Sequence, residues 1–129
     1  MADRGGTEDH REILIINNFM MSNNTIEKSK KYNLQDSITY ANGSIVSKIV
    51  QKSDSGNITL FAFDEKQNLS EHTAPFDAII QIIEGKARVI IDGKVYNMLK
   101  GECIIMPANI PHAVEATTAF KMLLTMIKE

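Results

Sequence analysis

Two histidines lie in apolar surroundings, one in Glu71-His-Thr-Ala-Pro-Phe-Asp-Ala-Ile-Ile-Gln-Ile-Ile-Glu-Gly85 and one in Gly101-Glu-Cys-Ile-Ile-Met-Pro-Ala-Asn-Ile-Pro-His-Ala-Val-Glu-Ala116. An imidazole can ligate a divalent metal, carry a proton near neutral pH, or hydrogen-bond a polar ligand. In extended chain, alternate side chains share a face. His72 then shares its side with Ala74, Ala78, Ile80 and Ile82, and His112 shares its side with Val114 and Ala116. That common face is apolar except for the two rings. The third histidine, His10, sits in a polar stretch and is read as an exposed surface residue. Cys103, inside the apolar run Glu102-Cys-Ile-Ile-Met106, is read as a buried small hydrophobe and not as a nucleophile.

The elements that must carry these residues are short strands. From Ala41 onward, apolar segments alternate with turn signals: Asn42-Gly43 precedes "SIVSKIV", Ser55-Gly56 precedes "NITLFAF", Glu84-Gly85 follows "AIIQII", and Asp92-Gly93 follows "ARVII". Asp-Gly and Asn-Gly supply the positive φ angles of tight hairpins, so the pattern predicts mostly antiparallel neighbours in an all-β sandwich or barrel. No ten-residue amphipathic helix is found, and Asn33 to Tyr40 offers at most one helical turn. Ile79 and Ile83 face away from Ile80 and Ile82, so this strand is apolar on both sides. One side lines the barrel; the other calls for a second sheet or a second subunit, and a homodimer is expected.

Length and charge narrow the function. A chain of 129 residues builds one core, and a net charge of -2 with no basic patch disfavours nucleic acid or an acidic membrane as partner. The longest apolar runs are too short to span a bilayer, and no signal-peptide pattern opens the chain. One cysteine cannot form an intrachain disulfide, which suits a reducing cytoplasm. Residues 1–30 are polar apart from Ile13 to Ile16 and Phe19 to Met21, and they read as a mobile arm with one added edge strand. Residues 31–129 form the barrel domain.

Two segments resemble the paired motifs of the cupin family over about Ser44 to Ile127. In the first, His72, Glu84 and Gly85 match, whereas Lys66 replaces a Gly, Ala74 replaces the second His, and Ala78 replaces the Glu. In the second, Gly101, Pro107 and His112 match, with Asn109 replacing a Gly and Ala116 an Asn. Asn tolerates left-handed backbone, so that turn should survive. The resemblance implies an all-β cupin barrel, a jelly roll or double-stranded β-helix, of the small single-domain type. It also implies that a divalent metal (Zn, Mn, Fe or Ni) would sit on the first-motif histidines, the Glu and the later His, of which only His72 and His112 remain.

Two imidazoles fall short of the three protein ligands usual for a catalytic metal. A third ligand would need a bulge turning Asp77 inward; Gln81 has the wrong parity, and Glu71 and Glu115 point away by alternation. Replacing a His and a Glu by alanines instead makes the chamber roomier and drier, which suits a small organic ligand. The expected lining is His72, His112, Ala74, Ala78, Ile80, Met106 and Met122, with Met126 a further candidate. No activated Ser or Cys nucleophile, carboxylate pair or phosphate-binding glycine loop is present in the sequence. The reading is therefore a small-molecule-binding protein with at most a weak metal site. One alternative is a metal-dependent isomerase, lyase or oxygenase using both histidines with Asp77 or water; another is a structural or regulatory module whose barrel is filled by its own side chains.

Overall fold

The computed structural model describes residues 19–21 and 26–128. His10 and the run Ile13 to Ile16 lie outside them. Among the described residues there are ten strands and no helix: β1 (Phe19–Met21), β2 (Ile45–Ser53), β3 (Gly56–Phe63), β4 (Asn68–His72), β5 (Asp77–Glu84), β6 (Lys86–Ile91), β7 (Lys94–Leu99), β8 (Cys103–Met106), β9 (His112–Ala116) and β10 (Phe120–Ile127). They form a six-stranded sheet, order β1-β2-β3-β10-β5-β8, and a four-stranded sheet, order β4-β9-β6-β7. Every pairing is antiparallel except β1 with β2. The edge strand expected in the first thirty residues is thus β1, running parallel to its neighbour.

The turn signals divide into two kinds. Asp92 and Gly93 both have positive φ, 50° and 80°, and close the β6–β7 hairpin as an Asp-Gly turn should. Asn42-Gly43 does not close a hairpin: it makes a turn, with the Ser44 N–H on the Ala41 carbonyl at 3.1 Å, that leads into β2. Glu84-Gly85 instead carries the chain from one sheet to the other. Gly85 has φ 78°, and a Cβ there would lie 2.2 Å from the Ala119 carbonyl oxygen, so the corner admits only glycine.

The main core lies between the sheets. Phe61, Phe63, Ile80, Ile82 and Met122 of the larger sheet meet Ala87, Val89, Met98 and Val114 of the smaller one. Phe63 stacks on Phe120 with ring centroids 4.5 Å apart. A second, smaller core lies on the outer face of the six-stranded sheet, where Ile38, Leu34 and Tyr40 pack with Leu60, Ala62, Ile83 and Leu123. Burying Ile38 contributes about 1.5–3 kcal/mol. Half of the strand that is apolar on both sides is therefore covered by the protein's own residues 34–40. That segment contains the single turn expected in Asn33 to Tyr40, closed by the Asp36 and Ser37 N–H groups on the carbonyls of Asn33 and Leu34.

A β-bulge fastens this strap. Lys121 pairs with Glu84 but Met122 pairs with Ile82, so β5 carries one extra residue there. Simple alternation would put Glu84 on the inward face with Ala78, Ile80 and Ile82; the bulge turns it outward. Its carboxylate then accepts from the Tyr40 hydroxyl and, at 2.7 Å, from Gln35 Nε2, with Lys121 Nζ at 3.7 Å. Lys121 also donates to the Gln35 carbonyl at 2.6 Å, and Lys48 donates to that of Ser37. The anchors on Glu84 and Lys121 were not visible in the sequence, because they depend on a bulge and on contacts more than forty residues apart.

Candidate functional site

His72 ends β4 and His112 begins β9, and the two are direct cross-strand partners. Leu69 pairs with Val114 and His72 with His112, so β4 advances three residues while β9 advances two. The bulge lets both Leu69 and His72 face inward, which strict alternation forbids. The rings meet edge to face, with centroids 4.4 Å apart and planes at 72°. Sequence reasoning expected these two imidazoles to converge, and they do.

Each histidine is held by the same local contact. His72 Nδ1 lies 2.6 Å from the Ser70 carbonyl, and His112 Nδ1 lies 3.1 Å from that of Ile110. A carbonyl oxygen only accepts, so both Nδ1 atoms carry the proton. In the neutral rings Nε2 is then the basic nitrogen. His112 is 4% exposed; burial, followed by the neighbouring His72 ring, holds its pKa below the ordinary imidazole value, while the Ile110 hydrogen bond acts the other way. At neutral pH His112 therefore presents an uncharged acceptor.

The apolar residues expected to line the site are largely buried. Ala78, Ile80, Met106, Met122 and Met126 are all 5% exposed or less and pack in one core cluster with half-buried Phe76 and Ile91. Ile91 is the partner of His112 on its other side. Ala74 is half-buried in the loop after His72, and its carbonyl accepts from the Asn109 N–H at 2.7 Å. Both motif positions that exchange glycine for another residue keep left-handed backbone, Lys66 at φ 68° and Asn109 at φ 65°.

Two expectations need correction. Asp77 is exposed, shows no bulge in its pairings, and directs Oδ1 to the Ala108 N–H at 2.8 Å. It does not join the histidines, and no group of three His, Cys, Asp or Glu that could hold a metal occurs among the described residues. The donor set thus does not fit the three-ligand metal centre implied by the resemblance. Cys103 is exposed, not buried, because its partner in β5 is the outward-facing Gln81. It lies beside an open groove of about 650 Å³ between the edge strands β7 and β8, lined by Val95 to Met98, Glu102, Cys103 and Ile104. Neither histidine lines that groove.

The model of the cupin domain matches residues 59–128, which includes both histidines. The chain belongs to the cupin family. This cupin is similar to a conserved protein of unknown function from Streptococcus pyogenes, at 34% identity over 88% of this chain and 94% of that one, with a TM-score of 0.77. It is also similar to a cupin 2 conserved barrel domain protein from Leptotrichia buccalis, at 40% identity over 75% of this chain and 47% of that one, TM-score 0.73. A cupin superfamily protein from Desulfitobacterium hafniense shares the fold at 23% identity, covering 82% and 97% of the two chains with a TM-score of 0.77. Comparison with curated proteins gives no match. No helix among the described residues is long and apolar enough to cross a membrane.

Proposed function

We propose that this cupin binds a small organic molecule in its barrel against the Nε2 atoms of His72 and His112. The observation that carries this reading is the pairing of two imidazoles across β4 and β9, each with Nδ1 tied to a backbone carbonyl two residues earlier. Few polar groups on an apolar wall orient a small ligand without the cost of burying charge. As acceptors the Nε2 atoms suit a hydroxyl or N–H; once protonated, they suit a carboxylate. A divalent metal on these two nitrogens would have fewer protein ligands than a stable centre and would exchange readily. The single cysteine suits a cytoplasmic setting.

The same proposal includes a second copy of this chain on the uncovered half of the outer face. Ile79 and Ile105 are cross-strand partners there, and Ile105 and Ile127 are 57% and 48% exposed. Residues 34–40 cover only the other half of that sheet.

Screening metabolites by thermal shift, with native mass spectrometry of the purified protein, tests the binding reading. A ligand should raise Tm in metal-free protein, and His72→Ala and His112→Ala should each abolish the rise. Stoichiometric metal that survives purification and is lost in both variants would replace this reading with the metal-dependent one.

A further inference from the structure

The two histidines lie where strands give way to loops. Residues 73–76 follow His72 and lead into β5, while residues 107–111 leave β8 and lead to His112. These loops are joined by two hydrogen bonds. The Ala108 N–H donates to Asp77 Oδ1 at 2.8 Å, and the Asn109 N–H donates to the Ala74 carbonyl at 2.7 Å. Asn109 takes left-handed backbone in this turn. On the far side the Asp92 N–H donates to the Pro111 carbonyl at 2.8 Å, so the loop that delivers His112 is held from both directions.

We propose that Asp77 is a positioning residue that latches the 107–110 turn onto the 73–77 loop, fixing His112 against His72 and governing access to their Nε2 atoms. The inference rests on reading the histidine pair as the binding site, but its test needs no ligand. A carboxylate makes a charge-assisted bond to a backbone N–H, stronger than a neutral acceptor provides. Because Asp77 is exposed, the bond also exchanges with water, so the latch opens locally without unfolding the barrel. The nearby Lys128, whose Nζ lies 5.8 Å from the Phe76 ring centroid, places a cation beside the same loop.

Carbethoxylation by diethyl pyrocarbonate, followed at each histidine by peptide mapping at neutral pH, reads this access directly. Asp77→Ala should speed modification of His72 and His112 by about fivefold or more. Asp77→Asn, which keeps an uncharged and weaker acceptor at the same place, should fall between wild type and Asp77→Ala. Tyr40→Phe, which loosens the strap on the opposite face of the sheet, serves as a control for general destabilisation and should leave both rates unchanged. Equal rates in Asp77→Ala and wild type would overturn the latch, as would the same acceleration in Tyr40→Phe. A latch effect in a protein that binds no metabolite would sink the ligand reading and leave Asp77 in its role.

Discussion

At the scale of single residues, His112 makes stability depend on pH. The folded pKa of His112 lies below its ordinary 6.5, chiefly through burial and then through His72. As pH falls below 6.5 the unfolded chain takes up this proton before the folded one does, so folding loses free energy until the folded pKa is reached. Above that window both states are neutral and the group contributes no slope. Melting temperature measured at constant ionic strength should therefore be flat above neutrality and decline from about 6.5 downward, and His112→Gln should flatten this part of the decline. An unchanged slope in that variant would assign the acid sensitivity to other groups. Glu84 acts in a separate window: the Tyr40 hydrogen bond, the largest cause, holds its pKa below 4.5, so its contribution is present above that value and lost further into acid. The convergence of His72 and His112 was legible because two sequence motifs each place an imidazole on an apolar face. The part played by Asp77 was not, since its partner is a backbone N–H 31 residues away that carries no side-chain signature.

Strand irregularities decide what the site and the strap look like at the next scale. Without the extra residue in β4, Leu69 and His72 would face opposite ways; without the one in β5, Glu84 would point into the barrel. Alternation predicts most inward residues but cannot locate a bulge, because the insertion is defined against a partner strand. Glu84 is where this matters for stability. Its hydrogen bond from Tyr40 is partly buried and charge-assisted, and burial and the adjacent carboxylate push the Tyr40 hydroxyl pKa upward. Tyr40→Phe should cost about 1.5 kcal/mol and lower Tm by about 5 °C in calorimetry, with the barrel still folded. A loss of less than about 1 °C would mean the strap is held by apolar packing alone. The Asp92-Gly93 hairpin was readable from its dipeptide, whereas Asn42-Gly43 carries the same kind of signal and closes no hairpin. A turn signal gives the local backbone shape and leaves open which strands meet.

For the whole molecule, the open question of surface is the outer face of the larger sheet. Ile105 and Ile127 remain exposed, beside half-buried Ile79, where β10, β5 and β8 run side by side. Three strands about 4.8 Å apart and five residues long at about 3.3 Å each give roughly 240 Å² per copy. A standard interface buries about 800 Å² per partner. The proposed homodimer is accordingly weak and concentration-dependent. Sedimentation should show average mass rising with protein concentration, and Ile105→Lys should hold the monomer; a mass independent of concentration in both proteins would remove this face as a dimer contact.

Taken by itself, the amino-acid sequence determined the all-strand fold, the family, and which two imidazoles meet across β4 and β9. Those properties follow from local periodicity, turn-forming residues and motif spacing, all of which are written along the chain. The tertiary structure decided that Asp77 accepts from the Ala108 N–H, that Cys103 is exposed, and that the second apolar face is half covered by residues 34–40. Each of these depends on which strand lies next to which and on where a bulge reverses a side chain, and neither relation exists until distant segments pair.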